Sequence, residues 1–192
     1  TYIRKDIRDI GNIRGISSFN KLLEVLASQS GQLLNVLELS NTLGIDKKTV
    51  SEYLDLLENT FVIKRTTPFH KNIRSELTKS PKVFILDTGM MHLLWLKEFP
   101  KIIFGSSFET FVFLELVKSG RKVNFWRTIN KQEVDFILSG EKLYAIEAKY
   151  KFKDYSATHL KFFSEKYKCE QIVVGMAGPK NGKYAWELIK YL

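Results

Sequence analysis

The sequence lacks the residues on which several common sites and scaffolds depend. Its 192 residues include a single cysteine, Cys169, so no internal disulfide can form, and a reducing compartment is favoured. The three histidines are far apart and have no paired cysteines, which argues against a zinc site. No apolar run approaches the roughly 18 residues of a membrane span, and the charged start is unlike a secretory signal. These absences predict a cytoplasmic protein without a membrane partner.

Nucleotide-binding and nucleophile motifs are also missing. No stretch matches the phosphate loop Gly-x-x-x-x-Gly-Lys-Ser/Thr, and no serine nucleophile elbow or Cys–His arrangement stands out. We therefore do not expect ATP to bind these residues. The chain opens at Thr1 rather than at a methionine, so we expect it to be part of a longer polypeptide.

The sequence has an excess of positive charge, and its composition is that of a folded protein. The formal net charge is +9, from 30 basic and 21 acidic residues, which suits a polyanionic partner such as nucleic acid, with DNA favoured. A solvated basic surface without a specific partner is the alternative. The hydrophobic content of 44%, with 14 phenylalanines, predicts a folded core rather than disorder.

Residues 18–88 follow the element order of a winged helix-turn-helix domain, after an N-terminal connector over residues 1–17. Apolar residues recur at helical spacing in three segments, and Gly44 allows a turn before Asp46, which can cap the third helix. The predicted elements are a helix from Ser18 to Gly31, helices Leu33–Leu43 and Lys47–Asn59, and strands Val62–Arg65 and Lys82–Leu86.

The third helix carries charges that favour contact with DNA and charges that oppose it. Lys47 and Lys48 at its start can face phosphate groups, whereas Glu52 and Asp55 further along would repel them. The loop between the two strands carries more basic residues, including Lys71 and Arg74. Direct DNA binding and docking of a protein partner through the winged helix are both open.

A second block covers residues 103–192, after a linker predicted over residues 89–102. Its predicted order is helix, three strands, helix and strand, which makes a mixed sheet flanked by helices and an α+β or α/β fold. The elements are a helix from Phe108 to Gly120, strands Lys122–Trp126, Glu133–Leu138 and Leu143–Tyr150, a helix Ser156–Tyr167 and a strand Gln171–Gly175.

Charged residues occur where this sheet should be apolar. Glu147 and Lys149 are two positions apart on one strand and therefore project from the same face. Gly140 predicts a tight turn that brings Asp135 on the preceding strand beside Glu147. Two carboxylates can share a hard cation such as Mg²⁺ or Mn²⁺, and the lysine can orient a water or hold a phosphate oxygen. This layout is that of a metal-dependent phosphodiesterase.

Each of these residues also has an ordinary structural interpretation. Glu147 and Lys149 can form a salt bridge on a surface hairpin. Glu109, in the first turn of the Phe108 helix, can interact favourably with the helix dipole, or it can be a further carboxylate near the metal. Lys151 and Lys153 can follow a phosphate backbone, or they can be solvated residues at a strand end.

The element order, with Asp135 and Glu147-Ala148-Lys149 in place, resembles the PD-(D/E)XK nuclease superfamily over about residues 103–176. The resemblance implies that Asp135 and Glu147 bind the divalent metal and that Lys149 assists the nucleophile. It implies that Glu109, on the first helix, completes the site. Val134 replaces the proline of the family's motif.

The whole chain also resembles the C-terminal region of a family of bacterial and archaeal AAA-type ATPases. The stretches that carry this resemblance are Tyr2–Ile7, Val50–Glu58, Lys79–Gly89 and Phe104–Glu109. It implies that an ATPase domain, the part that binds ATP, precedes a winged helix and a nuclease-like domain. Two functions of different classes therefore stay open: a Mg²⁺-dependent nuclease, and a non-catalytic module that binds nucleic acid or protein.

Overall fold

The computed structural model describes residues 15–70, 80–155 and 158–192. They form a mixed α+β protein with two sheets and fall into two compact units, 15–65 with 80–101, and 66–70 with the described residues from 102 onward. No helix in these ranges is long and apolar enough to cross a membrane. The predicted connector, apart from its last three residues, and the basic residues Lys71 and Arg74 lie outside the described residues.

The first unit packs four helices with a three-stranded sheet. Its helices are α1 (Ile16–Ser28), α2 (Val36–Leu43), α3 (Lys47–Asn59) and α4 (Thr88–Trp95), and its strands are β1 (Gln32–Leu33), β2 (Ile63–Thr66) and β3 (Lys82–Ile85), in the order β1-β3-β2. Apolar stripes of the helices meet in one buried core that includes Leu22, Leu54 and Met91. The assignment of this unit to the winged-helix fold stays a prediction.

Local signals explain where α2 and α3 begin. The Asn35 side chain accepts a hydrogen bond from the backbone N–H of Leu37, and Gly44 ends α2 in the left-handed region with φ 65°, where glycine is not strained. The Asp46 carboxylate accepts a bond of 3.0 Å from the Thr49 N–H. The predicted bounds of α3 are confirmed.

Several predicted boundaries differ from the structure. The helix expected from Leu33 begins at Val36, because Gln32 and Leu33 pair with β3 instead. Helix α1 begins at Ile16 with Gly15 as its cap, three residues before the predicted cap at Ser18. The stretch 89–102, predicted to be a linker, contains α4, because Met91 has a place in the core against α1.

The second unit contains a five-stranded mixed sheet. Its strands lie in the order β4-β5-β6-β7-β8, antiparallel from β4 to β6 and parallel from β6 to β8. The elements are α5 (Gly105–Lys118), β4 (Val123–Arg127), β5 (Glu133–Leu138), β6 (Tyr144–Ala148), α6 (Thr158–Lys166), β7 (Glu170–Gly175), β8 (Lys183–Tyr184) and the 3₁₀ helices Phe152–Asp154 and Ala185–Tyr191. The predicted helix–strand order is confirmed, whereas the nuclease-like assignment stays a prediction.

Helices α5 and α6 cover this sheet with aromatic side chains. Phe113 of α5 lies with its ring centroid 6.1 Å from that of Phe136 on β5. Phe163 of α6 belongs to a different buried cluster, which includes Ile137 of β5 and Ala145 of β6. Since alternate residues of a strand face opposite sides, Glu147 projects from the side that carries Ala145.

Candidate metal-binding site

The β5–β6 hairpin places Asp135 opposite Glu147. Phe136 pairs with Ile146 in the antiparallel register, and the next position in that register joins Asp135 to Glu147. The Asp135 Oδ2 atom accepts a 2.8 Å hydrogen bond from the backbone N–H of Ala148. This bond crosses from one strand to the other and orients the aspartate carboxylate towards the end of β6.

Lys149 lies between the two carboxylates. Its Nζ is 2.8 Å from Glu147 Oε1 and 3.7 Å from Asp135 Oδ2. The Lys149 side chain is 34% exposed, whereas that of Glu147 is only 8% exposed. The lysine thus closes the outer side of a carboxylate pair that lies largely inside the protein.

The surroundings of Glu147 disfavour its charge. Burial, followed by the nearby charge of Asp135, raises the pKa of Glu147 to about 7, although Lys149 acts in the opposite direction. The second carboxylate oxygen of Glu147, Oε2, is buried and has no hydrogen-bond partner. A buried carboxylate oxygen without a donor is destabilising unless a proton or a cation satisfies it.

Glu109 contributes to the same electrostatic field from helix α5. Burial acts to lower the pKa of Lys149, but the charges of Asp135, Glu147 and Glu109 outweigh it, and the pKa lies above its usual value. Lys149 therefore keeps its positive charge at neutral pH. Glu109 also lines, with Asp135 and Lys149, an open cavity of about 380 Å³.

A neighbouring cavity of about 260 Å³ exposes the other side of the site. It is lined by Asp135, Glu147 and Lys149 together with Glu133, Asp154 and His159. Within the described ranges, no three His, Cys, Asp or Glu side chains are arranged to hold one metal ion together. The structure brings Asp135 and Glu147 together, but Glu109 does not form a three-ligand arrangement with them. Mg²⁺ is commonly held by one or two carboxylates with waters and substrate phosphates, so this pair fits a hydrated cation.

Sequence reasoning missed Asp154 and His159 as neighbours of the site. Asp154 belongs to the 3₁₀ turn after β6, and His159 to the first turn of α6. The order of the elements could have indicated this proximity. Helix α6 follows the Glu-x-Lys strand after a short connection and packs back onto β5 and β6. The histidine spacing used to argue against zinc carries no information about this proximity.

The predicted nucleic-acid contacts that the structure describes are divided between the two units. Lys47 and Lys48 are exposed in the first turn of α3 in the first unit, and Lys48 Nζ lies 3.9 Å from the Glu52 carboxylate. Lys151 and Lys153 are exposed in the second unit, and Lys151 lines the larger cavity with Lys149. Lys151 therefore lies near the carboxylates of the second unit.

The raised pKa of Glu147 predicts a pH-dependent stability in a metal-free buffer. Between its ordinary value of 4.5 and about 7, the folded state holds a proton that the unfolded state has lost. The contribution of this carboxyl group to the unfolding free energy therefore falls as pH rises through that window, by about 1–3 kcal/mol.

Urea unfolding in EDTA between about pH 5 and about pH 8 measures this effect. Glu147→Gln cannot titrate and is expected to lose less stability with pH than the unmodified chain. Glu141→Gln, an exposed glutamate in the turn of the same hairpin, is the control and should follow the unmodified chain. Equal pH slopes for all three proteins would contradict the raised pKa.

Comparison with known sequences agrees with the division into two parts. Residues 1–101 match the sequence model of a family described as a domain of unknown function, DUF8612. The chain belongs to the DUF8612 family. Residues 104–187 match a second domain of unknown function, DUF4143, which is associated with AAA ATPases.

Relatives of this DUF8612 chain include uncharacterised proteins of Mycobacterium bovis and Mycobacterium tuberculosis. Each is 31% identical over 160 residues, which cover 78% of this chain and 36% of the relative. An uncharacterised protein of Haemophilus influenzae is 31% identical over 140 residues, covering 68% of this chain and 34% of the relative. The chain thus spans about a third of the length of the curated relatives it matches. No solved structure matches it.

Proposed function

We propose that the second unit is a divalent-cation-dependent phosphodiesterase of the PD-(D/E)XK nuclease-like type that acts on nucleic acid. The observation that carries this proposal is the convergence of Asp135, Glu147 and Lys149 at one end of the β5–β6 hairpin. A purely structural salt bridge would not need a second acidic group beside Glu147 or leave its Oε2 atom without a partner.

Asp135 and Glu147 would hold the Mg²⁺ or Mn²⁺ ion in this proposal. When bound, the cation supplies Lewis-acid stabilisation of the phosphate and lowers the pKa of a coordinated water. Asp135 is oriented for this role by the Ala148 N–H. The partnerless oxygen of Glu147 provides the second anionic ligand.

Lys149 would act on the nucleophile and the phosphate. Its ammonium group is partly exposed and borders both cavities. A positive charge at this place can donate hydrogen bonds to an attacking water and to the non-bridging phosphate oxygens, whose negative charge grows in the transition state. Glu109, across the larger cavity, would restrain the ammonium group electrostatically from the side of α5.

Nucleic acid is the partner that the charge supports best. The net charge of +9 gives a favourable long-range attraction to phosphate backbones. Lys151 beside the cavity would contact the substrate near the cleaved bond, together with Lys153 two residues on. The first unit would act as a winged helix, with Lys47 and Lys48 at the start of α3 towards DNA or towards a protein partner.

The longer polypeptide would also contain a nucleotide-binding part. The relatives are about three times as long as the matched region, and DUF4143 is associated with AAA ATPases. We therefore propose an ATPase domain outside these 192 residues as the place where ATP binds. The nuclease-like unit would then act on nucleic acid that this domain moves or remodels.

A cleavage assay tests the proposal. The chain is incubated with labelled single-stranded, duplex and branched DNA and with RNA, in Mg²⁺, in Mn²⁺ and in EDTA. We expect metal-dependent cleavage that is lost in Asp135→Asn. Cleavage by the unmodified chain that persists in EDTA, or equally in Asp135→Asn, would point to a contaminant and refute this site.

A non-catalytic binding module is the second candidate. Two observations favour it: Lys149 already contacts both carboxylates, and no three metal-ligating side chains cluster in the described part of the chain. In this case nucleic acid would bind without cleavage under any metal condition. The same assay, combined with a binding measurement, distinguishes the two candidates.

A further inference from the structure

An exposed aromatic stack follows the last strand of the second unit. The rings of Tyr184 and Trp186 are nearly parallel, with an interplanar angle of 6° and centroids 4.6 Å apart. Tyr184 is half-buried, but Trp186 is 60% exposed. Large aromatic side chains are normally placed so that most of their surface leaves water, so an indole ring fixed by stacking and yet exposed calls for a partner.

The stack lies at the same edge of the sheet as the carboxylate pair. Strands β6, β7 and β8 are parallel, so their carboxyl ends meet at one edge. The Lys149 N–H bonds to the Val174 carbonyl, and Gly175, the next residue of β7, pairs with Tyr184. With strands about 4.8 Å apart, two strand spacings separate Lys149 from Tyr184, or about 10 Å. That is about the length of three stacked nucleotides.

The stack also lies on the same side of the sheet as Glu147. The Tyr184 ring makes an edge contact with Phe152 at 5.4 Å between centroids. Phe152 belongs to the buried cluster that contains Ala145, which projects from the same face as Glu147. The aromatic stack and the carboxylate pair therefore open towards one side of the same sheet edge.

Lysines lie on the stack and along the sheet edge from it towards the carboxylates. Lys180 Nζ lies 4.7 Å from the Tyr184 ring centroid and also pairs with Glu187 at 2.9 Å. On the side of the carboxylates, Lys151 forms a parallel bridge with Ala177, in the loop that leads to Lys180. Cations interleaved with an exposed π-face are the combination that binds single-stranded nucleic acid.

We propose that Trp186 is a stacking platform for a base of single-stranded nucleic acid, held there with the help of Lys180. The strand would run along the sheet edge past Lys151 to the carboxylate pair. This inference deepens the proposed function and rests on it for the identity of the substrate. It makes the preferred substrate a single strand, because a base inside a duplex has no free face to offer the indole ring.

A second copy of the chain fits this surface less well. Lys180 lies on the stack, and Lys151 lies on the stretch that leads from it to the carboxylates, so two copies would bring lysines of like charge together. A polyanion with π-faces complements both the charge and the shape of the surface. Self-association is nevertheless measured as one outcome of the test.

The test compares two probes in EDTA, where no cleavage can interfere. Binding of a fluorescent oligothymidylate and of a DNA duplex of equal length is measured by anisotropy, at constant salt, with the 192-residue chain. We expect tighter binding of the oligothymidylate, and we expect Trp186→Ala to weaken it by about 5- to 100-fold. The duplex affinity should change by less than about twofold. Trp186→Phe, which keeps a π-face, should retain most of the affinity.

Matched controls separate stacking from charge and from misfolding. Lys142 lies before β6, at the opposite edge of the sheet, and pairs with Glu170 on the surface. Lys142→Gln should leave oligothymidylate binding unchanged, whereas Lys180→Gln combined with Lys151→Gln should weaken it and reduce its salt dependence. Circular dichroism melts should show that Trp186→Ala folds like the unmodified chain.

Several outcomes would overturn the inference. They are unchanged oligothymidylate binding in Trp186→Ala, an equal loss for the duplex, or light scattering that shows a dimer which this substitution dissociates. Failure of the nuclease proposal gives a different pattern: Trp186-dependent binding of the single strand without cleavage in Mg²⁺ or Mn²⁺. Cleavage of duplex and single strand alike, independent of Trp186, would support the nuclease proposal and contradict the stacking platform.

Discussion

Replacing Lys149 with alanine is expected to lower the rate of phosphodiester cleavage by about 10²- to 10⁴-fold. The substitution removes the positive charge that lies 2.8 Å from Glu147 and borders both cavities. The attacking water and the developing charge on the phosphate then lose a positioned donor. Single-turnover cleavage in Mg²⁺ measures the effect.

Nucleic-acid binding should hardly change in the same variant, since Lys149 is one of 30 basic residues. Metal affinity should stay the same or become slightly tighter, because a cation next to the carboxylates has been removed. These two measurements distinguish a chemical role from a general loss of structure. Lys142→Ala, a surface lysine near the amino end of the same strand, should cleave at the normal rate. A Lys149→Ala variant with undiminished cleavage would remove Lys149 from the mechanism.

Asp135→Asn and Glu147→Gln are each expected to weaken Mg²⁺ and Mn²⁺ binding by at least about tenfold, or about 1.4 kcal/mol. Each variant neutralises one of two carboxylates while keeping its size. Since hard cations are bound by oxygen ligands and their affinity depends on ligand charge, the loss of either charge should directly lower the affinity for the cation. Isothermal titration calorimetry on the 192-residue chain measures it.

The pH dependence of metal binding provides a second measurement on the same proteins. Because the pKa of Glu147 is raised to about 7, a cation has to displace its proton below that pH, and affinity should rise with pH up to about 7 and then level off. Glu147→Gln should lose this dependence. Glu141→Gln, in the exposed turn, should behave like the unmodified chain. Equal affinities in Asp135→Asn, Glu147→Gln and the unmodified chain would place any cation elsewhere.

Local sequence signals determined much of the fold. Helix α3 has its predicted bounds because the Asp46 cap and the apolar stripe act within a few residues. The β5–β6 hairpin was equally predictable from the sequence, since Gly140 marks the turn and the alternation of strand residues fixes which side chains share a face. The grouping of Asp135 with Glu147 and Lys149 follows from these short-range rules.

Contacts between distant segments decided the rest. Gln32 and Leu33 became a strand because β3, about fifty residues later, was there to pair with them, and α4 formed where Met91 could enter a core built by α1. Apolar residues in short runs serve helix and strand equally well. Tertiary packing determined which of the two structures formed.

The character of the candidate site also belongs to the tertiary structure. The sequence by itself placed the charges of Asp135, Glu147 and Lys149 on one hairpin. Only the packing of α5, α6 and the neighbouring strands buried Glu147, left its Oε2 atom without a donor and brought His159 into the cavity. Only the parallel register of β6, β7 and β8 placed Trp186 on the same sheet edge. Desolvation and proximity across a sheet depend on residues far apart in the chain, and no local pattern encodes them.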